Sequence, residues 1–341
     1  MTLFKLSLLL LATALAVDAE PCTQATAACM EPVRLEAEGR FVNVYRSMPL
    51  TQPNQAVRLA YIMIHGAGRN ADHYFATALA STFLAGRLND TVVIAPRFAG
   101  NDSRNCQDRL DAGEVSWKCG GWPAGERPVD DSPIHSYDFI DRLLVMLANR
   151  EVFPNLRRIV LAGHSAGGQF VNRYSAAGRG PKSVSVPVDF IVSNPSSYLY
   201  FEPLRPAAGM KCSPKGECAG DFVALEDVSK CAGYNRWRYG LEQRSGYAAS
   251  IEDAELGSQL VSRHVTYLLG ELDTLPIAGF DSSCSAMLQG PNRLERGMAY
   301  WNYLKKRLSA EHRLVTVPLC GHNARCIFTA DPALKLVFSE Q

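Results

Sequence analysis

The sequence lacks concentrated positive charge. Its 35 Lys and Arg residues balance 34 Asp and Glu residues, which leaves a formal net charge of +1 over 341 residues. No block of Lys and Arg of the kind that binds nucleic acid is present, so we expect no nucleic-acid partner. Internal repeats and low-complexity tracts are also absent. The remaining composition, 47% hydrophobic and 20% charged, is ordinary for one globular domain.

The cysteine spacing lacks a C-x-x-C pair, so the usual zinc and thioredoxin-type patterns are missing. The histidines show no ligand pattern either, and we expect neither a metal nor a cofactor. The ten cysteines are even in number and lie mostly in loops, which is typical of disulfides formed in an oxidising compartment. Cysteine number does not fix the connectivity, but short loops favour Cys22–Cys29, Cys106–Cys119, Cys212–Cys218 and Cys320–Cys326, which leaves Cys231 for Cys284.

The amino-terminal apolar run is too short to span a bilayer comfortably. Lys5 gives it a positive start, residues 6–17 are apolar, and small residues that suit cleavage follow. We therefore expect residues 1–19 to be a signal peptide, with an amino-terminal anchor as the alternative. The protein is predicted to be secreted, into the periplasm if the source is bacterial, without a stable membrane span.

One pentapeptide carries the main functional signal. Residues 163–167 read Gly-His-Ser-Ala-Gly and fit G-x-S-x-G, with an apolar run before them and a helix-compatible segment after them. A serine hydroxyl becomes a useful nucleophile when a sharp turn at a strand end holds it next to a base. The pattern therefore predicts Ser165 as a nucleophile, although a five-residue match alone also occurs by chance.

A serine nucleophile on such a turn needs an acid and a histidine later in the chain. Asp273 follows a β-rich run at 264–270, and His322 follows another strand-like run. We therefore predict His322 as the general base and Asp273 as the residue that orients it. Glu271 and Asp281 remain alternatives for the acid, and a structural role remains the alternative for His322.

The loop after an earlier predicted strand completes the pattern. Residues 65–68 read His-Gly-Ala-Gly, close to the HGGG loop that supplies oxyanion donors in lipases and esterases. We predict the backbone N–H of Ala166 as one donor and that of Gly66 or Ala67 as the other. With these motifs in order, the sequence resembles α/β-hydrolase-fold serine esterases, in particular secreted polyhydroxybutyrate depolymerases and feruloyl esterases. The resemblance implies ester hydrolysis of a small or polymeric substrate.

Strands and helices alternate along most of the chain, which predicts an α/β fold with a mostly parallel central sheet flanked by helices. We expect residues 20–341 to form one such domain. The alternation breaks at about 194–263, which we interpret as a disulfide-tied, cap-like insertion over the active-site edge. A structural excursion without substrate contact is the alternative.

Three tryptophans are candidates for substrate contact: Trp117 and Trp122, in a long glycine-rich loop, and Trp237, in the predicted insertion. Packing beneath the loop is an equally good interpretation of Trp117 and Trp122. The motifs do not separate esters from amides, because one triad serves both. A secreted peptidase and a non-catalytic binding relative therefore remain alternatives to the esterase.

Overall fold

The computed structural model describes the chain from Pro21 to Ser339 with four internal gaps. The predicted signal peptide lies outside the described residues. The described ranges are 21–35, 39–103, 106–213, 215–277 and 279–339.

An eight-stranded sheet forms the centre of the fold, in the order β1-β2-β4-β3-β7-β8-β13-β14. β1 pairs antiparallel with β2, and β2 with β4, whereas all other neighbours in the sheet are parallel. This sheet confirms the predicted α/β-hydrolase class. The strands in the described residues are β1 (Met30–Arg34), β2 (Phe41–Arg46), β3 (Leu59–Ile64), β4 (Thr91–Pro96), β5 (Asn101–Ser103), β6 (Cys106–Gln107), β7 (Arg158–His164), β8 (Val188–Ser193), β9 (Leu204–Pro206), β10 (Lys211–Cys212), β11 (Cys218–Ala219), β12 (Phe222–Ala224), β13 (His264–Gly270) and β14 (Arg313–Val317).

Helices cover both faces of the sheet. In the described residues they are α1 (Ala71–Leu84), α2 (Ser136–Leu147), α3 (Ala166–Ala177), α4 (Gly180–Ser183), α5 (Asp253–Ser262), α6 (Cys284–Met287), α7 (Arg293–Leu308), α8 (Ala324–Thr329) and α9 (Asp331–Phe338). Side chains of α1, α8 and α9 share one core cluster, and those of α2, α3, α5 and α7 share the other. None of these helices combines the length and the apolarity needed to cross a membrane.

Strand β3 illustrates how the sequence builds a sheet that is covered by helices on both faces. All six of its residues are buried, and alternate side chains point to opposite faces of a strand. Ala60, Ile62 and Ile64 accordingly join the core under α2 and α3, whereas Tyr61 and Met63 join the core under α1. An uninterrupted apolar run is therefore what a strand covered on both faces requires.

All ten cysteines are paired, and the pairs are those that loop length favoured. Four of the disulfides close short local loops. The fifth joins Cys231 to Cys284 across 53 residues and so ties the irregular segment after β8 to the chain that follows β13.

The predicted insertion ends earlier than residue 263. Residues 253–262 form α5, which packs against α3 in the layer that covers the sheet and leads directly into β13. Sequence periodicity missed this helix because it is short and follows an irregular segment. The irregular part is therefore 194–252, which contains the strand pairs β9–β12 and β10–β11 and the Cys212–Cys218 disulfide.

Candidate active site

The pentapeptide at 163–167 forms a sharp turn between β7 and α3. Ser165 has φ 60° and ψ −119°, a conformation that costs a non-glycine residue energy and that recurs at functional sites. Its N–H donates to the Ser193 carbonyl at 3.0 Å, which ties the turn to β8. A Cβ at Gly163 would lie 2.2 Å from the Gly167 carbonyl oxygen, so glycine is needed for the chain to pass so close to itself.

Ser165, His322 and Asp273 form one hydrogen-bonded chain at the carboxyl edge of the sheet. His322 Nε2 lies 3.0 Å from Ser165 Oγ, and His322 Nδ1 lies 2.8 Å from Asp273 Oδ2. The serine follows β7, the aspartate follows β13 and the histidine follows β14, so three strand ends bring together residues far apart in sequence. Open α/β sheets place their sites at this edge.

The other two acidic candidates bond elsewhere. Glu271 accepts a hydrogen bond from the Leu319 N–H at 3.0 Å, three residues before the histidine. Asp281 accepts one from the Tyr239 hydroxyl at 2.7 Å. Among the three acids, Asp273 is the one in contact with His322.

Two residues that sequence reasoning missed support Asp273. Asn194 Nδ2 donates to the same carboxylate oxygen as His322, and Asn194 Oδ1 accepts from the Gly270 N–H at 3.1 Å. Arg293 Nη1 lies 3.6 Å from the other oxygen, and both side chains of this ion pair are almost fully buried. Asn194 directly follows β8 at the carboxyl edge, a position that could have identified it. Arg293 starts α7 and has no local signal.

Burial lowers the Arg293 pKa, and the Asp273 charge opposes that fall. The guanidinium also donates to Ser196 Oγ at 2.8 Å and to the Ile277 carbonyl at 2.8 Å. These bonds fix the cation behind the carboxylate. Asp273 thus faces the Arg293 guanidinium with one carboxylate oxygen and contacts His322 and Asn194 with the other.

The loop after β3 lies against the serine. A Cβ at Gly66 would be 3.5 Å from the Ser165 Cβ and 2.7 Å from the Tyr74 hydroxyl oxygen. Behind the loop, His65 Nδ1 contacts the Gly66 carbonyl at 2.9 Å, while His65 Nε2 accepts from the Phe98 N–H at 3.0 Å. Burial lowers the His65 pKa to about 4, so the ring is neutral and braces the loop.

Tyr74 links this loop to the pentapeptide. Its hydroxyl lies 3.0 Å from His164 Nδ1, and burial raises its pKa while a hydrogen bond from the Gly66 backbone opposes the rise. His164 packs against His322 with ring centroids 4.5 Å apart. Burial, followed by the nearby His322 and Arg293 charges, holds the His164 pKa well below its usual range. A neutral ring therefore lies beside the candidate base. No sequence pattern identified Tyr74 as part of the site.

Ser165 opens into a cavity of about 610 Å³. Its described lining residues include the predicted donors Gly66 and Ala67 but none from the segment 194–252. That segment follows β8 at the same edge of the sheet, yet its predicted role as a cap gains no support from the cavity. Ala166, the third predicted donor, begins α3 directly after Ser165.

The three tryptophans are not among the described lining residues of this cavity. Trp117 is 0% exposed and Trp122 is 1% exposed; both pack in the core, where Trp122 stacks on Phe98 with ring centroids 5.1 Å apart. Trp237 is partly buried and donates from Nε1 to the Ala124 carbonyl at 3.2 Å. This burial gives no support to the predicted substrate contact of Trp117 and Trp122. Trp237 gains no support.

Among the described residues, one cluster has the spacing of a metal site: Asp102, Cys106 and Cys119. The two cysteines form a disulfide with each other, which removes the thiolates that a metal needs. The donor set therefore does not suit a metal ion.

Comparison with known proteins agrees with this fold. The structure is similar to LpqC, a poly(3-hydroxybutyrate) depolymerase from Bordetella parapertussis, with 19% identity over 91% of this chain and 90% of that chain and a TM-score of 0.59. It is also similar to poly(aspartic acid) hydrolase-1 from Sphingomonas sp. KT-1, with 19% identity, coverage of 91% and 98%, and a TM-score of 0.56. At these identities the likeness establishes the fold alone. No curated protein sequence matches the chain.

A family model described as "Alpha/beta hydrolase family" matches residues 61–336, from the middle of β3 to the last helix. The matched segment contains Ser165, Asp273 and His322 in that order. Because the match spans most of the sequence, the chain belongs to the alpha/beta hydrolase family, a membership that supports hydrolase activity.

Proposed function

We propose that this family member is a secreted serine hydrolase that cleaves carboxylic esters through an acyl-enzyme. The observation that carries the proposal is the position of His322, within hydrogen-bond distance of both Ser165 Oγ at 3.0 Å and Asp273 Oδ2 at 2.8 Å. A nucleophile, a base and an orienting acid within such distances are the arrangement that acyl transfer requires.

In the first step Ser165 Oγ attacks the ester carbonyl while His322 Nε2 accepts the hydroxyl proton. His322 then returns that proton to the leaving alcohol, and the acyl group stays on the serine. Water, activated by the same nitrogen, releases the acid and restores the enzyme. Asp273 accepts the Nδ1 hydrogen bond throughout, which keeps Nε2 free to act as the base.

Backbone N–H groups stabilise the oxyanion that forms in each step. Ala166, at the start of α3, supplies one donor, and the loop after β3 supplies the other. Gly66 and Ala67 both line the cavity beside Ser165, so the N–H of either residue can be the second donor.

The neighbours of His322 do not oppose the positive charge that its ring gains during the reaction. The adjacent His164 ring stays neutral because burial lowers the His164 pKa, so the two rings do not repel. Asp273 supplies the negative charge, and the buried Arg293 and Asn194 keep its carboxylate in place. The developing imidazolium therefore faces a fixed anion in a site of low dielectric.

The substrate class follows from the open cavity and the predicted location. A cavity of about 610 Å³ beside Ser165 has room for a small ester or one unit of a polymer. Export and five disulfides suit an enzyme that meets its substrate outside the cell. We also propose that residues 20–341 act as one domain, with 194–252 as an insertion.

The test is hydrolysis of p-nitrophenyl acetate, butyrate and octanoate by the oxidised protein, beside Ser165→Ala and the matched control Ser183→Ala. Ser183 lies in α4 and contacts the Arg179 carbonyl, away from the triad. We expect ester hydrolysis that Ser165→Ala abolishes and Ser183→Ala retains. Cleavage of peptides but not esters would identify a peptidase instead, and an intact, inactive wild-type protein would sink the catalytic proposal.

A further inference from the structure

The described lining of the active-site cavity contains a cation and no anion. The cation is Arg325, and no carboxylate lines the cavity. Two carboxylates that are not in the lining contact its histidines: Asp273 Oδ2 lies 2.8 Å from His322 Nδ1, and Asp72 Oδ2 lies 3.8 Å from His73 Nε2. The positive character is local, because the whole chain has a net charge of only +1.

Arg325 has no ion-pair partner among the described residues. Its guanidinium donates from Nη1 to the Ala76 carbonyl at 3.2 Å, which connects α8 to α1 across the cavity wall. This single neutral acceptor leaves most of its five N–H donors for other groups. The side chain is exposed, so its charge is available to a ligand that enters the cavity.

The backbone that carries Arg325 is well fixed. The Cys320–Cys326 disulfide closes the loop around His322, and Asn323 Oδ1 accepts from the Cys326 N–H at 3.0 Å. Arg325 lies three residues after the candidate base within this closed loop. The backbone position of Arg325 is thus constrained by the same disulfide that closes the loop around His322.

We propose that Arg325 binds a carboxylate on the substrate, so that the enzyme selects esters that also bear a free acid group, such as half-esters of dicarboxylic acids. The inference rests on the proposed ester hydrolysis and narrows its substrate class. A guanidinium pairs with a carboxylate through two parallel hydrogen bonds, and no acid of the lining competes for it. Asn70 and His73 also line the cavity and add polar groups around the ligand.

The experiment compares esters that differ in one terminal group. On the acyl side, mono-p-nitrophenyl adipate is paired with p-nitrophenyl hexanoate, which replaces the carboxylate with a methyl group. On the alcohol side, 3-carboxypropyl butyrate is paired with butyl butyrate. Values of kcat/KM are measured for wild type, Arg325→Gln, Arg325→Lys and the control Arg58→Gln. Arg58 is also exposed and without an ion pair in the described part of the chain, but it precedes β3 at the opposite edge of the sheet.

We expect wild type to prefer the anionic ester in at least one pair by about fivefold, the effect of one solvent-exposed ion pair. Arg325→Gln should abolish the preference with little change for the neutral ester, Arg325→Lys should retain part of it, and Arg58→Gln should match wild type. The preference should also shrink in about 0.5 M NaCl, because salt screens an exposed pair. Equal kcat/KM within both pairs, or a preference that survives in Arg325→Gln, would overturn the inference.

A binding measurement separates this inference from the proposed function. Monomethyl adipate is titrated into Ser165→Ala protein while the Arg325 Nε–Hε resonance, assigned by its loss in Arg325→Gln, is followed by NMR. We expect that resonance to shift with monomethyl adipate and not with methyl hexanoate. If the Arg325 resonance shifts but the wild-type protein hydrolyses no ester, the proposed hydrolase activity is wrong and the proposed carboxylate site is supported. If hydrolysis depends on Ser165 but the resonance does not shift and the anionic ester is not preferred, the carboxylate site is wrong and the hydrolase activity is supported.

Discussion

Replacement of Asp273 by Asn tests the proposed triad most directly. The carboxylate is 1% exposed, and one of its oxygens, Oδ2, accepts from both His322 and Asn194, while the other faces Arg293 at 3.6 Å. An amide cannot satisfy this set. With its oxygen towards His322, its NH₂ group faces the guanidinium. Turned around, its NH₂ group faces two other donors.

Both orientations cost catalysis and stability. Loss of the anion that orients the base lowers kcat by about three to four orders of magnitude in serine triads, or roughly 4 to 5.5 kcal/mol of transition-state stabilisation. The variant also breaks the buried ion pair between residue 273 and Arg293, which destabilises a fold by about 3 kcal/mol or more. Both losses should appear in one variant.

The assay measures kcat on p-nitrophenyl butyrate and the free energy of unfolding in urea. Glu271→Gln and Asp281→Asn are the matched controls, because these acids contact Leu319 and Tyr239 instead of the base. We expect both controls to keep kcat within about tenfold, or 1.4 kcal/mol. Wild-type kcat in folded Asp273→Asn, or a larger loss in either control, would refute the assignment of the acid.

Three further predictions concern the support of the site. Tyr74→Phe removes the hydroxyl that contacts His164 Nδ1 beside the serine. We expect kcat to fall about tenfold and the free energy of unfolding to fall by about 1 kcal/mol. Unchanged kinetics would show that Tyr74 does not support the site. Cys326→Ser removes the disulfide to Cys320. We expect the free energy of unfolding in urea to fall by about 2 kcal/mol and kcat to change by a larger factor than KM. An unaltered kcat would show that packing alone positions His322. His65 has its pKa lowered from 6.5 to about 4, so the unfolded chain takes up its proton first as pH falls. The stability that neutral His65 contributes is therefore complete above pH 6.5 and is lost as the pH falls towards 4, with a loss of about 2 kcal/mol at pH 5. Unfolding curves of wild type and His65→Asn as a function of pH measure this loss. An equal pH dependence of the two proteins would contradict the prediction.

The sequence was most informative where the signal is local. The buried run of β3, the turn at Ser165 and the helix after it depend on residues a few positions apart, and they form where the pattern placed them. Disulfides across short loops were predictable for the same reason, because nearby cysteines meet with little loss of chain entropy. The chain order of serine, acid and histidine also followed from the motifs.

Tertiary structure decided what depends on contacts between distant segments. Sequence position alone does not distinguish the acidic candidates Glu271, Asp273 and Asp281. Only the packing of the strands brings Asp273 into contact with His322. The same holds for Trp122, whose burial against Phe98 depends on how a long loop folds back on the core.

Local sequence therefore determined the strands, the turn at the candidate nucleophile and the short disulfides, since hydrophobic period and loop length act over a few residues. Three-dimensional packing alone decided that Asn194 and Arg293 surround Asp273 and that Arg325 lines the cavity of Ser165. These side chains come from separate strand ends and helices. Their meeting is fixed by the order of strands in the sheet, which no local pattern encodes.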